Sequence, residues 1–434
     1  MKKLTGILLA LGILASCSTP REEILKVYNW ADYIDEDLIT EFEQWYEEQT
    51  GEKVTIIYQT FDVNETMLSK IELGHEDYDL VCPSDYIIER MLMNDLLLLP
   101  IDRDFGDTPD YTGNLAPYIV DCFNNIEGFG KNANDYAVGY MWGTTGLIYN
   151  PKFVSAEDVK SWDVLRDPKN AGHILMKEAF RDVYSVLLVA LNKDAIDAGE
   201  KDLATICFDN SDESIKMVED YLMSFRDGVC GWEADFGKDQ MTKEQAWINL
   251  SWSGDAQWAI EEAAEMGVEL AYSVPESGSV VWFDGWVIPK YARNVKAARY
   301  FINFMCKPEN AIRNMDVIGY VSALGGDYIL EQVTDEEEFD PIDVSYFFGP
   351  QADSVCVNPI MYPEKAIIDR CSMMHDSSEE RTRALLEMWS RVKGDSATGM
   401  TFVTIVCALL AIAALVLFLF LRKKSRRASA RRRR

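Results

Sequence analysis

Four short stretches of the chain set aromatic rings beside carboxylates: Trp30 with Asp32 and Tyr33, Ser84 with Asp85 and Tyr86, Trp252 with Asp255, and Trp282 with Asp284. Ionised carboxylates form charge-assisted hydrogen bonds to ammonium groups, while indole and phenol faces accept cations and methylene carbons. The combination suits an organic cation with charged ends and an apolar stem, such as a diamine. Any single pair is weak evidence, because Trp is more often core than ligand wall. Residues for other chemistry are missing. No G-x-S-x-G or H-E-x-x-H motif is present, and the three histidines, His75, His173 and His375, lie far apart in sequence. No two cysteines form a C-x-x-C pair. We therefore expect no enzyme, no cofactor and no metal site.

The elements that must hold these pairs alternate between strand and helix. Ile24–Trp30 reads as a buried strand, and residues 35–48 place Leu38, Ile39, Phe42, Trp45 and Tyr46 on one helical face. A strand at 54–58, a helix at 65–73 and a strand at 78–82 follow, the last ending at Pro83-Ser84. Such alternation predicts a parallel α/β sheet, in which ligands gather at loops beyond the carboxyl ends of the strands. Trp30 to Tyr33 and Ser84 to Tyr86 fall in those loops. A second α/β set has strands at 174–176 and 247–252 and helices at 183–191 and 214–225. A helix covers Val295–Met305, and a final helix starts after Ser377, whose spacing to Glu380 fits a capping box. Its apolar side is Leu385, Leu386, Met388, Trp389 and Val392.

With 434 residues the chain exceeds one ordinary core, so two lobes are expected. Its ends are of another kind. Lys2 and Lys3 precede an apolar run that ends in Leu14-Ala15-Ser16-Cys17, the pattern of a lipoprotein signal peptide over residues 1–16 with lipid attachment at Cys17. Residues 395–400 form a polar linker. Residues 401–421 are uncharged and mostly apolar, and as a helix they would rise about 31 Å, enough to cross a bilayer. The tail at 422–434 holds nine Lys or Arg residues, which places it in the cytoplasm by the positive-inside rule. Between these ends the body carries 31 basic against 72 acidic residues, a net charge of −41. That balance excludes nucleic acid as a partner and draws cations to the surface.

A set of landmarks in fixed order carries a family resemblance. Asn29-Trp30-Ala31-Asp32-Tyr33, Asn64-Glu65-Thr66-Met67, Tyr78-Asp79-Leu80-Val81-Cys82-Pro83-Ser84, Trp142-Gly143-Thr144-Thr145, Trp282-Phe283-Asp284 and Ile318-Gly319-Tyr320 resemble the bacterial spermidine/putrescine-binding proteins, over about residues 24–394. The resemblance implies an α/β, two-lobed periplasmic binding protein fold of type II, here with a C-terminal transmembrane helix. It implies a first lobe of 24–143 plus 283–328 and a second of 144–282 plus 329–394, with the ligand in the cleft. It also implies that Trp30, Asp32, Tyr33, Ser84, Tyr86, Trp252, Trp282, Asp284 and Tyr320 contact the ligand. The family's Arg-Glu-Val-Phe segment is similar to Arg181-Asp182-Val183-Tyr184, which makes Asp182 a partner of one ammonium end.

Three features bear on which polyamine is meant. An acidic position of the spermidine type corresponds to Ala179, and its C-terminal Gln falls near Met374. Conversely, Trp252-Ser253-Gly254-Asp255 resembles the Trp-x-Gly-Asp of the putrescine type, whose Asp holds an ammonium group. Putrescine is thus favoured over spermidine, with Asp85 and Glu178 as further candidate carboxylates. The expected role is an extracytoplasmic binding protein on the periplasmic side of a bacterial cell membrane, delivering polyamine to the permease of an ABC transporter. A membrane-anchored polyamine sensor and an enzyme using paired carboxylates are the competing classes. The short tail, with no docking or catalytic domain, disfavours the sensor.

Overall fold

The computed structural model describes residues 19–94, 97–234 and 236–394. The signal segment 1–16, the lipid-bearing Cys17, the linker 395–400, the expected membrane helix 401–421 and the tail 422–434 lie outside the described residues. Among the described residues no helix is long and apolar enough to cross a membrane.

Two compact α/β units make up the chain. Among the described residues, the first takes 19–143, Ser253–Trp258 and Trp282–Ile368; the second takes Thr144–Trp252, Ala259–Val281 and 369–394. Residues 329–368 group with the first unit, whereas the family resemblance assigns them to the second lobe. Aromatic packing within the first unit accounts for this. Tyr346 meets Tyr118 edge-on at 5.1 Å, and Phe347 stacks on Trp142 at 5.1 Å.

In the first unit, parallel strands run Thr55–Phe61, Ile24–Trp30, Leu80–Val81 in spatial order. Residues 282–289 join them antiparallel, Val287 facing Val81. The strand expected at 78–82 shortens to Leu80–Val81, because Asp79 is fully buried and its carboxylate takes the backbone N–H groups of Lys26, Arg293 and Asn294. Helix Glu36–Thr50 is N-capped by the Asp35 side chain, which accepts from the Asp37 N–H, and it ends at Gly51 in left-handed geometry. Leu38, Phe42 and Tyr46 are its buried stripe, and Phe42 packs edge-on against Phe301 of helix Val295–Met305 at 5.0 Å.

In the second unit the strand order is Ala271–Ser273, residues 144–149, Ile248–Trp252, Ile174–Lys177, Val229–Glu233. Helices Phe180–Leu191, Asp212–Met223 and Glu379–Lys393 pack on one another. The cap of the last helix differs from the expected one. Ser378, not Ser377, is the N-cap, accepting from the Arg381 N–H at 3.3 Å. Ser377 is otherwise engaged, its hydroxyl taking Asn210 at 2.8 Å and Arg181 at 3.3 Å. Leu386 is 45% exposed, so the apolar side narrows to Leu385, Met388, Trp389 and Val392.

Two long strands, Ala137–Tyr149 and Ser279–Pro289, are buried along their whole length. Each leaves one unit and enters the other within its own span.

Candidate functional site

The first unit gathers most of the expected residues into one connected set. Strand Ile24–Trp30 delivers Trp30 at its carboxyl end, where the ring packs on Phe61 at 4.5 Å. The chain then turns through Asp32, whose φ of +49° lies in the left-handed region that Asp tolerates better than most residues. That turn sends Tyr33 inward. Asn314 and Tyr140 hold it there: Asn314 accepts from the Asp35 N–H at 2.7 Å and donates to the Tyr140 hydroxyl at 2.9 Å, which itself donates to the Tyr33 carbonyl at 2.6 Å.

So fixed, the Tyr33 hydroxyl donates to Asp284 Oδ2 at 2.8 Å, with both residues buried. Burial, reinforced by the Asp284 charge, pushes the Tyr33 hydroxyl far above its ordinary pKa, so it remains a donor. The Cys82 thiol is pushed up in the same way and stays neutral. Tyr320 lies edge-on to Tyr33 at 4.9 Å and to Trp282 at 5.7 Å. Its hydroxyl donates to Asp255 Oδ1 at 2.7 Å. Two buried carboxylates, each held by a tyrosine, thus flank a wall of three rings.

Glycine makes this packing feasible. A Cβ at Gly254 would lie 2.3 Å from the Tyr320 ring, so the residue between Trp252-Ser253 and Asp255 must be small. Gly319, at φ +75°, ends helix Pro308–Ile318 in the left-handed cap that turns the chain into Tyr320.

Ser84 joins the set through a β-bridge to Asp284. Asn64 Nδ2 donates to the Ser84 hydroxyl and to the Tyr86 hydroxyl, both at 3.0 Å. Asn64 opens its helix in the landmark Asn64-Glu65-Thr66-Met67, yet side-chain type alone did not single it out. Asp85 is fully buried and accepts from the Tyr86 N–H at 2.7 Å at the start of its helix. Asp32 is exposed and stands outside the hydrogen-bonded set just described.

The second unit contributes a smaller constellation. Asp182, in the first turn of helix Phe180–Leu191, accepts from Trp252 Nε1 at 2.8 Å. An acidic side chain at a helix start is favoured by the backbone dipole. Two residues that the pattern of types did not reveal complete this set. The Lys177 ammonium lies 4.1 Å from the Trp252 ring centroid and 3.0 Å from Glu233 Oε1. Glu178 is paired with Lys393 at the surface. Among the described residues no cluster of metal-ligating side chains occurs.

Comparison with known proteins shows the family of the chain. Residues 38–339 match the family model for bacterial extracellular solute-binding proteins. The putrescine-binding periplasmic protein PotF of Escherichia coli is 27% identical over 314 residues, covering 70% of this chain and 78% of that protein. The spermidine/putrescine-binding periplasmic protein of the same organism is 28% identical over 325 residues, covering 74% and 84%. Among solved structures, the spermidine/putrescine ABC transporter substrate-binding protein PotD of Streptococcus pneumoniae aligns with a TM-score of 0.62 at 26% identity, over 86% of this chain and 98% of that one. The fold is accordingly the two-lobed α/β fold of periplasmic binding proteins, serving capture rather than catalysis. The chain belongs to the bacterial extracellular solute-binding proteins, within the group similar to periplasmic polyamine-binding proteins.

Proposed function

We propose that this protein captures a short polyamine outside the cytoplasm, putrescine in preference to spermidine, and presents it to an ABC permease. The observation that carries the reading is the pair of tyrosine-held carboxylates: Asp284 with Tyr33, and Asp255 with Tyr320, beside the Trp282 ring. Fixed carboxylates match ammonium groups, and the ring wall matches the carbons joining them. In the second unit Asp182, oriented by Trp252, is assigned to an ammonium as well.

Support for putrescine comes from the Trp-x-Gly-Asp pattern at Trp252 to Asp255. It comes also from Ala179, which stands as N-cap of its helix where the spermidine type carries an acid. Attachment to the membrane through Cys17 and residues 401–421 belongs to the same proposal and rests on sequence. Loss of lipid labelling in Cys17→Ser would be the expected result.

Titration calorimetry of the purified protein with putrescine, cadaverine, spermidine and spermine tests the reading. Saturable heat with putrescine, at lower Kd than with spermidine, is expected. Silence with all four would reject the polyamine assignment, and tighter binding of spermidine would reject the preference.

A further inference from the structure

We infer that Lys177 is a specificity-determining residue, a cation built into the second unit that admits ligands charged only at their ends and disfavours those with an inner charged amine. The inference rests on the polyamine reading above and goes beyond it.

Lys177 ends strand Ile174–Lys177 and is only 1% exposed. Its ammonium donates to the Ala234 carbonyl at 3.0 Å and pairs with Glu233, a residue of zero exposure, at 3.0 Å. Glu233 is itself fixed by Asn249 Nδ2 and by the Gly237 N–H, both at 3.1 Å. The lysine is therefore a positioned charge, not a swinging surface chain.

That charge sits over the face of Trp252, whose N–H is given to Asp182. A ring attracts a cation through its quadrupole, and here a resident cation already uses that attraction. A second positive charge brought to the half-buried ring would meet repulsion from the first, which the ion pair with Glu233 offsets only in part. Methylene carbons meet no such repulsion. Arg181, 6% exposed, adds another fixed cation in the turn that leads to Asp182. A terminal ammonium remains acceptable at the Asp182 carboxylate, whereas the stretch against Trp252 is suited to carbon.

A diamine offers carbon alone between its ends, while spermidine carries an inner ammonium. The decisive comparison on the wild-type full chain is spermidine against 1,8-diaminooctane, the same chain length with CH2 in place of the inner NH, alongside putrescine. Calorimetry should show the diaminooctane bound at least about tenfold more tightly than spermidine, a difference well inside titration accuracy. Equal affinity, or rejection of both long amines while putrescine binds, overturns the inference, since charge is then not what excludes spermidine. Failure of all three amines to bind overturns the polyamine reading itself.

A second arm replaces the ion pair as a unit, Lys177→Met with Glu233→Gln, so that no buried charge is left alone. The spermidine-to-putrescine affinity ratio should rise about tenfold. Lys177→Arg, which keeps the cation, should hold the wild-type ratio. An unchanged ratio in the double variant overturns the inference even where both amines still bind.

Discussion

The Tyr33 hydroxyl and the Asp284 carboxylate meet at 2.8 Å although 251 residues separate them. A buried carboxylate that accepts from a protonated phenol is held in place, and the reading proposed above gives it to a cation. Removing that charge by Asp284→Ala is expected to weaken putrescine binding by at least about 100-fold, the scale at which loss of one partner of a buried charge pair operates. Tyr33→Phe removes only the positioning bond and should cost about three- to tenfold. Calorimetry on both variants checks the order; near-native affinity in Asp284→Ala would reject the assigned site.

Gly254→Ala offers a steric test. The added Cβ would stand 2.3 Å from the Tyr320 ring, so the ring must move and carry its hydroxyl away from Asp255. We expect about 1–3 kcal/mol of lost stability by overpacking, read by urea unfolding, together with weakened ligand binding. Wild-type stability and affinity together would show that Tyr320 has room that the geometry denies.

Trp252→Phe keeps a ring but withdraws the N–H that fixes Asp182. Putrescine affinity should fall by about threefold to tenfold, because Asp182 is then less firmly placed for an ammonium. If Asp182→Asn leaves the affinity as it was, Asp182 does not receive an ammonium.

A pH effect on stability is expected from Asp209. Burial works to raise its pKa, but hydrogen bonds from Ser214 and Ser211 and the contact with Lys201 outweigh it and hold the carboxyl at about 2. A depressed acid stabilises the fold above its unfolded value, near 3.9, and that contribution fades as pH falls toward 2. Its size is on the order of 1–2 kcal/mol for a partly exposed group. Denaturant midpoints measured from about pH 5 down to pH 2 should fall less steeply in Asp209→Asn than in the wild type.

Much of the architecture was readable where local rules and burial agree. Helix Val295–Met305 falls where its apolar period ends and where Asn294 supplies the cap. Strand Ala137–Tyr149 was not foreseen, because a strand buried on both faces loses its alternation and its three glycines imitate a loop. The family landmarks pointed to Trp30, Tyr33, Asp284 and Tyr320, and of these Tyr33, Asp284 and Tyr320 lie in one connected set. Lys177 and Glu233 were invisible: a lysine closing an apolar strand reads as a solvated end, and its partner lies 56 residues on. Only the packing of Val229–Glu233 beside Ile174–Lys177 brings the two charges together. Ser377 was misread as a cap for the same reason, since its distant partners Asn210 and Arg181 outcompete the local helix start.

The polypeptide passes between its units at Gly143/Thr144, Trp252/Ser253, Trp258/Ala259, Val281/Trp282 and Ile368/Asp369. Neither half is therefore a cassette that recombination could lift out intact, and any single cut point leaves both fragments missing strands. Genetic complementation with separately encoded halves is expected to fail.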